Sequence, residues 1–168
     1  MMPTGNLRLL DIAQIASVIA PVNLATGANS GDYIAMKDFH RVAMIVQAAA
    51  GTAANDLTIT ALQATDAAGT GSKALNFTRI DVKQGADVQA IGQFTEVTQA
   101  AANTYTEATN GEEELIYVVD FMPEDLDIAN DFTHITIDIA QVGAAKVGSV
   151  VAVAFGPKFG QDPQLSVL

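Results

Sequence analysis

Cysteine is absent from the chain, and with it go disulfide frameworks, thiolate metal sites and thiol redox chemistry. The absence fits a reducing cytoplasm. Tryptophan is absent too and only three tyrosines are present, which argues against a sugar-stacking cleft. Histidine occurs twice, at His40 and His134. Basic residues are scarce: eight Lys+Arg stand against nineteen Asp+Glu, a formal charge of −11. Such a surface repels phosphate backbones and anionic lipid, so neither nucleic acid nor a membrane is an expected partner. It suits solubility at high concentration, or docking onto a basic surface. No long apolar run exists either. The most apolar N-terminal stretch, Leu7 to Ala20, is interrupted by Asp11 and Gln14 and is too short to span a bilayer. A cleaved signal peptide is one reading of it; the preferred one is a structural arm or first element.

What is present is a series of short alternating apolar runs between Gly/Asn/Asp turns. Apolar residues make up 49% of the chain, but many are alanine, so the expected core is Val, Ile and Leu with a few Phe. Val42, Met44 and Val46 alternate with Ala43 and Ile45 in a run with two apolar faces, as in a central strand. Leu57, Ile59, Ala61 and Gln63 alternate with Thr58, Thr60 and Leu62, and this run is expected to pair with the preceding one as a hairpin. Tyr33 to Met36, Ala74 to Val82, Phe94 to Thr98, Leu115 to Phe121 and Val147 to Phe155 read as further strands, and Ile135, Ile137 and Ile139 mark a core face. Gln99 to Thr109 reads as loop, and Pro123 to Asn130 as one helical turn or an irregular crossover. Asn6 to Ile19 fits either a helical stripe or a strand. Seven or eight strands without a βαβ rhythm predict an all-β fold: an antiparallel β-sandwich, jelly-roll-like, as one domain over 21–156. An N-terminal arm (1–20) and a C-terminal arm (157–168) flank it.

Candidate chemistry is thin. Glu112–Glu114 and the group Glu124, Asp125, Asp127 and Asp131 are the dense carboxylates. They lack the Gly-containing loop of an EF-hand and read as a solvated or partner-facing edge. His134 and Asp138 share a strand face but lie about 13 Å apart along it, with no Gly-x-Ser-x-Gly elbow to complete a triad. Both histidines read as surface residues. Gly69-Thr70-Gly71-Ser72-Lys73 misses the spacing of a phosphate loop. No catalytic residue, cofactor or metal ligand is therefore expected. The candidate contact residues are apolar ones in the arms: Leu7, Leu9, Leu10, Ile12, Ile15, Ile19, Phe159 and Leu165. Each arm is expected to lie across a neighbour, and removing residues 1–20 to leave a folded domain.

One resemblance adds to this. Gly31-Asp32-Tyr33, Met36-Lys37-Asp38-Phe39 and Arg41, then Leu62-Gln63-Ala64-Thr65-Asp66, Gly69-Thr70-Gly71 and Lys73-Ala74-Leu75-Asn76-Phe77, follow one another in an order that resembles small virion proteins of tailed bacteriophages. The likeness runs from about Ile19 to Phe155 and is one of turns and strands. It implies a capsid decoration (cement) protein or another head-associated structural protein, made in the host cytoplasm and carried on the capsid surface. The implied partners are the major capsid protein and further copies of the chain, as a trimer bound between capsomers. A head–tail joining or tail protein, and a carbohydrate- or receptor-binding sandwich, are the alternatives. No functional residue carries over.

Overall fold

The computed structural model describes residues 8–53, 55–92, 94–106 and 112–157. One helical turn, α1 (Leu9–Ile12), precedes eleven strands: β1 (Ala13–Asn23), β2 (Ile34–Ala35), β3 (Phe39–Ala48), β4 (Thr58–Ala64), β5 (Lys73–Ala74), β6 (Phe77–Gln84), β7 (Thr95–Ala102), β8 (Thr104–Thr106), β9 (Leu115–Phe121), β10 (His134–Ile139) and β11 (Val147–Pro157). They form two antiparallel sheets. The larger runs β1-β11-β3-β9-β6-β7 and the smaller β2-β10-β4-β5, with β8 also on β4.

The pairing is nested. β1 lies against β11, β2 against β10, β3 against β9 and β4 against β8. The chain is thus one long antiparallel hairpin whose successive pairs alternate between the sheets, which is how a jelly roll is wound. The β6–β7 hairpin widens the larger sheet beyond β9. The all-β sandwich expected from the alternating runs is what the chain forms.

Between the sheets, Val42, Met44 and Val46 meet Ile59, Ala61, Ile135, Ile137 and Ile139, all buried. Tyr117 and Tyr105 are buried as well and meet edge to face at 5.5 Å, as do Phe77 and Phe121 at 6.2 Å. Tyrosine thus joins the aliphatic core.

Several expectations change. β3 and β4 do not form a hairpin: β3 pairs with β11 and β9, and β4 belongs to the other sheet. Their connection crosses from one sheet to the other, so the apolar inner faces of the two strands meet across the sandwich. The run Ala74 to Val82 is two strands, split where Leu75 and Asn76 carry the chain from one sheet to the other. Of Gln99 to Thr109, expected as loop, residues 99–106 are largely strand and 107–109 lie outside the described residues. Residues 13–20, expected in an arm, are the first part of β1, so a boundary at residue 20 falls inside a strand. Pro123 does open a helical turn, of the 3-10 type, over Pro123–Asp125.

Candidate interaction surface

One end of the sandwich collects most of the exposed large apolar side chains. β1 starts there, with Ala13 opposite Phe155. β11 leaves there, with Pro157 opposite Phe39, and β9 ends there, with Phe121 opposite Val42. The Met36–Asp38 turn and the β9–β10 loop belong to the same end, joined by a bond from Met36 N–H to the Thr133 carbonyl at 2.9 Å.

At this end α1 is closed locally. The Asp11 carboxylate accepts the Arg8 N–H at 2.8 Å, and the Asp11 N–H reaches the Arg8 carbonyl at 3.0 Å. Within this turn Leu9, Leu10 and Ile12 are left 50%, 45% and 44% exposed by the described residues. In β1, Ala16 packs against the core, which places Ile15 on the outer face, 48% exposed. The register against β11 then slips between Ser17 and Ile19, and both Val18 and Ile19 turn inward. Ile19 is therefore a core residue and not a contact residue of an arm. Leu7, Phe159 and Leu165 lie outside the described residues. The outer edge of β1 is partly protected by this slip, by Pro21, and by Asp32, whose N–H bonds the Val18 carbonyl at 2.9 Å.

The β9–β10 loop is the second feature of this end. Asp125 accepts the Met122 N–H at 2.7 Å, Gln63 Oε1 accepts the Asp127 N–H at 2.9 Å, and Asn130 donates to both Asp127 oxygens. Lys73 donates to Asp127 while its ammonium sits 4.0 Å above the Phe132 ring. Those bonds, Lys73 first, hold the Asp127 carboxyl below the usual carboxylate range. The loop leaves Met122 41% and Ile128 57% exposed beside an apolar cleft of about 170 Å³, lined by Met36, Lys37, Pro123, Leu126, Ile128 and Phe132 among others. Sequence reading placed these acids on an edge but missed the cleft, because its walls come from segments about ninety positions apart; the exposed Ile128 among acids was the available signal.

The other singled-out groups are occupied locally. The Gly69–Lys73 loop is organised around Asp66, which accepts the Ala68 and Thr70 N–H groups at 3.0 Å, while Lys73 is turned to Asp127. His134 Nδ1 meets the Thr133 hydroxyl at 2.9 Å, and half-buried Asp138 accepts the Gly31 N–H at 2.9 Å. Among the described residues no three His, Asp or Glu side chains converge as metal ligands, and no helix is long and apolar enough to cross a membrane.

No family model and no curated protein matches the chain. Among solved structures it is similar to the SPBc2 prophage-derived protein YomS, at 13% identity over 84% of this chain and 93% of that one, with a TM-score of 0.45. A likeness this distant carries neither fold nor function from one chain to the other.

Proposed function

We propose that this protein is a non-enzymatic virion structural subunit, a decoration (cement) protein that binds the outside of a phage head between capsomers, as a homotrimer, and stabilises it. The observation that carries the reading is the group of apolar residues Leu9, Leu10, Ile12 and Ile15, which the described residues leave exposed at the end of the sandwich where the described chain also finishes. Large apolar side chains left exposed together at one end of a fold mark a surface that another protein covers. A jelly roll is a rigid platform for such a surface, though the same fold hosts unrelated functions. The resemblance in the order of turns and strands supplies the shell as the partner.

The test is binding to purified, undecorated phage heads. The wild-type chain should saturate them and raise their thermal stability, and its native mass should be that of a trimer. A variant with Leu9→Gln, Leu10→Gln, Ile12→Thr and Ile15→Thr should fold normally and leave the heads bare. Heads that bind the folded variant as well as the wild type, or bind neither, would overturn the reading.

A further inference from the structure

We infer that the β9–β10 loop is a preformed docking site for a basic segment of a partner protein, which inserts one apolar side chain into the cleft beside Ile128. Three observations carry this beyond the N-terminal patch. First, the loop is already fixed: bonds from Met122, Asp127, Asn130 and Lys73 converge on Asp125, Gln63 and Asp127, so a ligand would not have to order it. A loop held this way presents Ile128 to solvent by construction. Second, the cleft beside Ile128 holds about 170 Å³ between Met36, Leu126 and Phe132. Apolar cavities of about 150 Å³ accept a benzene-sized group, so one Leu or Phe side chain is the matching load.

Third, the charge around it has one dominant sign. Glu124, Asp125 and Asp131 are exposed, while Lys37 is the cation of the cleft wall and Lys73 is engaged with Asp127. The chain as a whole carries −11, which steers a basic segment toward the loop. The occupant that satisfies both features is a stretch of chain with Lys or Arg on either side of one Leu or Phe.

Backbone amide shifts of the full chain, titrated with three capped pentapeptides, decide it. Lys-Lys-Leu-Lys-Lys should give saturable shifts confined to Leu126, Ile128, Thr133 and their neighbours. Lys-Lys-Ala-Lys-Lys and Glu-Glu-Leu-Glu-Glu should each bind at least about tenfold more weakly. Ile128→Ser, whose spectrum should match the wild type away from the loop, should lose a similar factor. Equal shifts from all three peptides, shifts scattered over the acidic surface, or none at millimolar peptide would overturn the inference. So would cleft resonances that move with protein concentration alone, or on ending the chain at Pro157. Those last two results would assign the cleft to a second copy or to the chain's own tail.

Discussion

Gly31 occupies a place that no other residue can share. A Cβ built there would lie 2.5 Å from both the Ile137 carbonyl oxygen and the Thr136 hydroxyl, and 2.6 Å from Val18 Cγ1. Two of those atoms belong to β10 and one to β1, so relief would separate the sheets along their shared margin. Gly31→Ala should cost about 2–4 kcal/mol in chemical denaturation; a loss below about 0.5 kcal/mol would mean the margin is soft. Its neighbour Asp138 makes a second case. Burial raises the Asp138 carboxyl above its ordinary value, partly offset by the Gly31 N–H it accepts. The folded state therefore holds this proton more tightly than the unfolded state. The contribution to stability is fully present below the unfolded carboxylate value of about 3.9 and is lost as pH rises through the folded one. Asp138→Asn keeps an acceptor for Gly31 and removes the charge. It should match the wild type near pH 3 and exceed it at pH 7, by up to about 1 kcal/mol once solvent screening is allowed for. Parallel pH–stability curves for the two proteins would refute this.

At the scale of elements, local alternation carried most of the information and long-range pairing carried little. The core faces of β4 and β10 were legible because inner and outer residues differ in polarity, as with Ile135, Ile137 and Ile139 against His134 and Asp138. Partner choice was not legible. β3 and β4 are adjacent in sequence and each has an apolar face, and nothing local distinguishes a hairpin from a crossing between sheets. Ala74 to Val82 shows why a break can hide inside good alternation: Leu75 is buried, its N–H reaches the Ala61 carbonyl at 3.1 Å, and from Asn76 the chain joins the opposite sheet. The phase changes again between Phe77 and Ile80, both buried, where the register against β7 slips. Only the first half of β7 was legible, since Phe94 to Thr98 reads as a strand; Gln99 to Ala102 did not, because β7 is an edge strand whose residues are mostly exposed. The candidate surface was half legible, since the apolar residues of α1 and β1 stood out while their exposure depended on what folds over them. Leu75→Ala should therefore cost about 2–4 kcal/mol, as a buried Leu at a sheet-to-sheet crossing, while Thr78→Ala three positions on stays within about 0.5 kcal/mol. Equal effects at the two positions would place the crossing elsewhere.

For the whole molecule, the decisive question is where the fold begins. An arm ending at residue 20 predicts that a chain lacking 1–20 folds; the position of β1 predicts the opposite. Ala13, Val18 and Ile19 are buried, and β1 covers the edge of β11 along its length. Fully burying a Val or Ile side chain is worth about 1.5–3 kcal/mol, and whole domains are stable by only about 5–15 kcal/mol. Removing 1–20 takes away two such side chains together with a strand's worth of backbone pairing and bares the long apolar strand β11, an invitation to edge-to-edge aggregation. Removing 1–12 takes away α1 and three of the four exposed apolar residues and leaves the sheet whole. The shorter deletion should therefore keep a cooperative thermal transition within a few degrees of the full chain while losing most of its attachment to undecorated heads, and the longer one should be insoluble or lack a transition. A soluble, cooperatively folded chain starting at Pro21 would return residues 13–20 to an arm and remove β1 from the architecture that positions the patch.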